Sequence, residues 1–191
     1  MKNTKVLENE LFTSIICSDG IDFRGIKIGD SIDVLPTIEG LDFENRGGAL
    51  PNYKYFIELG AIEELTLVYL YDAETKLIQQ LELTLKTYPK FYWEEAGGTD
   101  EMEFFTKIKS NAIDTYLSEF THCENLVIAH FENQLGNPES TSNHVVFKHN
   151  HQAFKSFNWM VEGKRLTLMS YLDDTKYPQG PITRELKLIL R

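Results

Sequence analysis

YKYFIELGAIEELTLVYLYD, residues 53–72, and FKSFNWMVEGKRLTLMSYLD, residues 154–173, are the two stretches on which the reading of this chain turns. They align without a gap at an offset of 101 residues. Six of the twenty positions are identical: Lys54/Lys155, Phe56/Phe157, Leu65/Leu166, Thr66/Thr167, Leu67/Leu168 and Asp72/Asp173. Further on, LIQQLELTL (77–85) meets ITRELKLIL (182–190), where Leu81/Leu186, Leu83/Leu188 and Leu85/Leu190 coincide. Self-similarity at a fixed offset marks a repeated unit and ranks ahead of local readings because it sets the architecture. Two copies of a three-strand unit, each preceded by a helical segment, predict an α+β protein. Its strands are mainly antiparallel β-meanders with helices packed on one face, and an internal duplication is expected. The expected division is residues 1–100 and 101–191, packed as one compact unit.

In LIQQLELTL, Leu81, Leu83 and Leu85 point one way while Gln80, Glu82 and Thr84 point the other. That alternation predicts a sheet covered on one face and wet on the other. Strands are expected at 53–59, 64–71 and 77–87, and again at 144–149, 154–161, 165–172 and 182–190, with a tight hairpin turn at Glu162-Gly163-Lys164. Residues 11–17 (LFTSIIC) and 23–28 (FRGIKI) predict two more short strands. Asp30 or Ser31 is placed to cap a helix over 32–39, which Pro36 keeps short and Gly40 stops. Residues 45–52 and 137–143 read as loops. Met102, Phe105, Ile108, Ala112, Ile113, Tyr116, Leu117 and Phe120 recur at three- and four-residue steps, so an amphipathic helix is expected there. After Thr121 a second helix is expected over 123–135, burying Leu126, Val127, Ala129 and His130 or Phe131, and ending at Gly136 with Pro138 beyond.

The composition is that of a globular protein, with 42% hydrophobic and 25% charged residues in 191. Nineteen Lys plus Arg against 29 Asp plus Glu give a formal charge of −10. Nucleic-acid binding calls for a basic face that displaces counterions, so it is not expected, and neither is an anionic membrane surface. A basic protein partner is favoured by long-range attraction. Cys17 and Cys123 make neither a disulfide framework nor a zinc site. The opening MKNTKVLENELF carries Glu8 and Glu10 where a signal peptide has its apolar run, and no stretch approaches 18 apolar residues. A cytoplasmic protein with reduced thiols is expected.

The sequence has no Gly-x-Ser-x-Gly elbow, P-loop or dinucleotide fingerprint, so no cofactor is expected. His144, His149 and His151 fall within HVVFKHNH. Two imidazoles on one strand face, with Glu139 as a third ligand, would suit a divalent metal, and a small hydrolase is the alternative to a binding protein. A small-ligand carrier is the other. Adjacent His122 and Cys123 do not by themselves make a catalytic pair. The cluster Tyr92, Trp93, Glu94, Glu95, Asp100, Glu101 and Glu103 joins aromatic anchors to acid in a loop entering a helix. Interfaces favour Tyr and Trp as anchors, and acid speeds encounter with a basic partner. These seven residues are the expected partner-binding site, and no catalytic or metal site is assigned.

IKIGDSIDVL (residues 26–35) resembles the strand–Gly–helix opening of the β-lactamase-inhibitor-protein-like fold, shared with small outer-membrane assembly lipoproteins. LGNP (135–138) resembles the helix-ending Leu-Gly-x-Pro of the same units. The resemblance implies a helical pair preceding an antiparallel meander, often duplicated. Each half here carries only one of the two signatures. A chain of this size, acidity and layout also resembles the immunity proteins of bacterial toxin systems. That resemblance implies an inhibitor that covers the active site of one cognate toxin.

Overall fold

The computed structural model describes residues 15, 21–48, 51–60, 63–87, 110–146, 152–173 and 183–191. Eight strands form one sheet: β1 (Glu44–Arg46), β2 (Asn52–Gly60), β3 (Glu63–Tyr71), β4 (Ile78–Thr87), β5 (Ser140–Val146), β6 (Gln152–Val161), β7 (Lys164–Asp173) and β8 (Thr183–Leu190). Their order is β1-β2-β3-β4-β8-β7-β6-β5, and every pairing is antiparallel. Among the described residues two α-helices, α1 (Leu35–Glu39) and α2 (Ser110–Leu135), accompany the sheet in an α+β layout. No helix among the described residues is long and apolar enough to cross a membrane.

Side chains alternate across a pleated strand, so register assigns each residue to a face. One row crosses the sheet as Tyr55–Leu67–Leu83–Leu188–Leu168–Phe157–Thr141. The next runs Tyr53–Tyr69–Leu81–Leu190–Leu166–Trp159. Leu67, Tyr69, Leu83, Leu166, Leu168 and Leu188 are fully buried. This leucine face is the core, and Val127 and Phe131 of α2 belong to the same buried cluster.

The gapless alignment fails by one residue in its first strand. Leu67 pairs with Leu83 and Leu168 with Leu188, so β3 and β7 correspond as aligned. Phe56, however, stands opposite Thr66, whereas Phe157 stands opposite Leu168. The two phenylalanines therefore occupy opposite faces: Phe56 is 48% exposed and Phe157 packs on the core. The connections explain this. Glu58↔Glu64 encloses residues 59–63, five, with a register shift, while Met160↔Arg165 encloses 161–164, four. The shorter link turns on Glu162 (φ 52) and Gly163 (φ 77), a two-residue turn with both central φ positive that suits the strand twist. One extra residue flips every side chain of a strand to the other face.

Other expectations need correcting. Residues 23–28 are not a strand. Phe23 and Ile26 form an isolated bridge around Arg24 (φ 56) and Gly25 (φ 83), and the Asp22 carboxylate accepts the Gly25 N–H at 3.1 Å. The helix expected over 32–39 opens with a single 3-10 turn, Ile32–Val34, whose Ser31 hydroxyl accepts from Asp33 N–H. Pro36 sits in the first turn of α1, where a missing N–H costs nothing, and Gly40 (φ 97) stops it. The region 45–52, read as loop, begins in β1, and 137–143 contains the start of β5. Both are polar edge strands, so the hydrophobic alternation used to find strands is missing from them. The expected break at Thr121 does not occur. Helix α2 runs unbroken to Leu135, since neither Gly nor Pro interrupts it and a single Thr costs only some tenths of a kcal/mol, about 0.5. Its described buried face is Glu124, Val127 and Phe131, while Leu126 and Ala129 are exposed.

Candidate protein-binding face

Tyr92, Trp93, Glu94, Glu95, Asp100, Glu101 and Glu103 lie outside the described residues, as do His149 and His151. His144 is in β5, its backbone opposite Phe154. Glu139 is exposed just before that strand, its N–H bonded to the Asn158 carbonyl at 2.8 Å. Among the described residues, no group of three or more His, Cys, Asp or Glu is placed to hold a metal ion.

What the structure does bring together is the face opposite the leucines. One row spans all eight strands: Glu44–Lys54–Val68–Glu82–Ile189–Thr167–Asn158–Ser140. The neighbouring row is Phe56–Thr66–Thr84–Lys187–Met169–Ser156–Ser142. This outer face mixes hydroxyls, amides, charges and scattered apolar groups. Its polar groups are tied to one another. Lys187 pairs with Glu82, and Gln80 Nε2 donates to Glu82 Oε1 at 2.7 Å. Lys86 and Glu185 meet at 3.8 Å across β4 and β8. Thr167 donates to Asn158 Oδ1 at 2.8 Å, and Asn158 Nδ2 donates to Ser140 at 3.2 Å. The Ser142 and Ser156 hydroxyls lie 2.7 Å apart. Cross-linked side chains of this kind enter a contact already ordered, which lowers the entropy lost on binding.

Two large apolar groups stand out of this polar floor. Phe56 is 48% exposed, with the Lys54 ammonium 4.2 Å from its ring centroid, and Met160 is 43% exposed. The sequence alone pointed to neither, and for Phe56 the reason is the one-residue slip in β2, which set it on the same face as Phe157. The signal was present in YKYFIE, where aromatic residues occupy both parities of one strand.

No protein-family model matches the chain. No curated protein matches it, and no solved structure does.

Further bonds start from residues of the leucine rows and their neighbours. The Tyr69 hydroxyl donates to Glu39 Oε1 at 2.7 Å, and Arg24 Nη1 meets Glu39 Oε2 at 2.8 Å. One carboxylate, its side chain 2% exposed, thereby ties the Arg24 turn and α1 to β3. Burial, and then the nearby Glu39 charge, push the Tyr69 phenol far above its ordinary range and the Tyr55 phenol up to about 12. The Tyr55 hydroxyl has no hydrogen-bond partner among the described residues. Helix α2 is held by Lys155 Nζ on Glu124 Oε2 at 2.8 Å and by Trp159 Nε1 on the Gly136 carbonyl at 2.9 Å.

Proposed function

We propose that this chain is a protein-binding inhibitor of the immunity type, acting in the cytoplasm on a basic toxin or effector domain, and that the outer face of its sheet is the contact surface. One observation carries the reading: a continuous eight-strand face whose polar groups are mutually bonded and from which Phe56 and Met160 project. With strands about 4.8 Å apart and about 3.3 Å per residue, eight strands averaging about eight residues offer roughly 1,000 Å². That is enough for the area each partner buries in an interface of standard size, roughly 800 Å². Phe56 and Met160 are the anchors. The charge of −10 supplies attraction at a distance, since the outer face itself carries largely paired charges. Glu94, Glu95, Asp100, Glu101 and Glu103 belong to that acidic field, with Tyr92 and Trp93 as additional anchors.

The same proposal includes the finer architecture, a duplicated unit with both helices over the leucine face. Support comes from the strand order, which reads alike from either edge, and from Leu83 standing opposite Leu188 where the two chain halves meet. Glu39 meets Tyr69, and the Phe131 ring lies 5.6 Å from that of Trp159, both on the leucine side by register.

The test is direct. Toxin-like domains encoded beside this gene are purified and assayed with and without the protein. Stoichiometric inhibition is expected. Phe56→Ala and Met160→Ala should each weaken it about tenfold or more, as for a truncated anchor. Glu94→Lys with Glu95→Lys should slow association, and less so at high salt. If inhibition is seen and neither anchor variant alters it, the outer face is not the interface.

A further inference from the structure

Helix α1 is apolar on both sides. Ile32 and Leu35 are buried beneath it, and the carboxylate of Glu39 is buried against Tyr69 and Arg24. On the outward side Val34 is 36% exposed, Ile38 37% and Leu41 82%. Val34 and Ile38 are four residues apart and share one side of α1, and Leu41 follows directly after the Gly40 stop. The stripe they form is extended at its start by Leu77, 41% exposed, whose backbone bridges Ser31, the residue that caps this segment. A helix that is apolar all round is normally buried. Here one side faces solvent.

The stripe sits in an acidic field. Between Ile28 and Asn45 there is no Lys or Arg, and there are five acids: Asp30, Asp33, Glu39, Asp42 and Glu44. Glu39 is neutralised by Arg24 and Glu44 meets Arg46, but Asp33 and Asp42 are exposed. Asp72 and Glu74 lie in the turn that leads to Leu77, and hydrogen bonds from Thr75 hold the Asp72 carboxyl below its ordinary value. The cation beside Leu77, Lys76, has its ammonium 5.3 Å from the Tyr71 ring centroid.

We propose that this stripe is a second docking site, taking a short amphipathic helix of a partner protein with an apolar seam and flanking Lys or Arg residues. Charge complementarity selects that occupant. A second copy of this chain would set Asp33 and Asp42 against their own kind, and a nucleic acid or an anionic lipid would meet the same acids. The four steps from Val34 to Ile38 span about 6 Å at 1.5 Å per residue, a little over one turn, and Leu41 lies just past the Gly40 stop. Helices that dock in this way are read through anchors at three- and four-residue spacing. The site goes beyond the function proposed above, which places the toxin contact on the opposite face of the sheet.

The test uses the whole chain and a fluorescein-labelled fourteen-residue peptide, about four helical turns long, with Leu on one face and Lys on the other. A scrambled peptide of the same composition and a Leu/Glu analogue serve as controls. Saturable binding of the Leu/Lys peptide alone is expected, weakening as salt rises. Ile38→Ser with Leu41→Ser should weaken it at least tenfold, and Phe56→Ser should leave it unchanged. Equal binding of the scrambled peptide, no binding, or indifference to the α1 double variant overturns the proposal. Sedimentation as a dimer that Leu41→Ser abolishes overturns it in favour of self-association. Loss of toxin inhibition in Phe56→Ser with peptide binding intact separates this site from the one above.

Discussion

Replacing Trp159 tests how the second half of the chain is held together. The indole is 2% exposed and stacks near Phe157 at 6.3 Å and Phe131 at 5.6 Å. Its Nε1 donates to the Gly136 carbonyl at the end of α2, 2.9 Å away. Truncation to Ala removes the ring from between helix and sheet. Such losses cost about 3–5 kcal/mol, part transfer and part residual cavity. Phe restores most of the volume but not the donor. A neutral hydrogen bond contributes about 1 kcal/mol, and Gly136 is exposed, so its carbonyl regains water. Trp159→Phe should therefore cost about 1–2 kcal/mol in all. Against a total stability of about 5–15 kcal/mol, the Ala variant loses a large share. Urea unfolding followed by far-ultraviolet circular dichroism gives both numbers, with the midpoint falling and the slope unchanged. If Trp159→Ala costs less than about 1.5 kcal/mol, the indole is not the wedge described here. If Phe costs as much as Ala, the hydrogen bond outweighs the packing.

Three further perturbations have determined directions. Lys155→Met strands the buried Glu124 carboxylate and should cost about 3 kcal/mol, the low end for a broken buried pair because Lys155 is 39% exposed, while Lys155→Arg should recover most of it. Unfolded phenols titrate near 10, and Tyr55 and Tyr69 are held higher in the fold, Tyr55 at about 12. Their contribution is thus complete below pH 10 and is lost as pH rises from there through the folded values; phenolate absorbance should climb together with loss of dichroism, and Tyr69→Phe should flatten the alkaline limb. Burial holds the His130 imidazole below its ordinary 6.5, so the unfolded chain takes up a proton that the folded chain refuses; melting temperature should fall as pH drops below about 6.5, and His130→Gln should flatten that slope.

The sheet was legible wherever one face is buried. Leu81, Leu83 and Leu85 announced β4, and their counterparts Leu186, Leu188 and Leu190 announced β8, because burial forces a period of two. Edge strands obey no such demand, so Asn45-Arg46 and the Ser140-Thr141-Ser142-Asn143 run read as loop. The register of β2 was misjudged for a related reason. A bulge adds a residue without leaving a mark in composition, and identity at Lys54/Lys155 and Phe56/Phe157 concealed the slip. Thr121 was given too much weight as a helix stop, when only Gly136 has the positive φ that ends α2. As for the candidate site, acid and aromatic residues in 92–103 could be picked out by chemistry alone, but Phe56 and Met160 required knowing which way each strand faces. Glu39 and Glu124 look like ordinary surface acids in the sequence. Their burial comes from Arg24 and Lys155, partners 15 and 31 residues away.

The seam between β4 and β8 has a consequence for how the chain reaches its native state. β4 has β3 on one side within a short hairpin, but its other side waits for a strand 105 residues further along. Until Leu186, Leu188 and Leu190 arrive, the first meander exposes an unpaired edge running beside Leu81, Leu83 and Leu85. Such an edge is a template for any passing strand, including one from another molecule. Closing the middle of the sheet therefore carries the largest loop-closure entropy of any strand pairing in it. A chain stalled before that step would be prone to exchange its β8 with a neighbour, and swapped dimers joined through β4 and β8 are the species to look for when refolding is crowded.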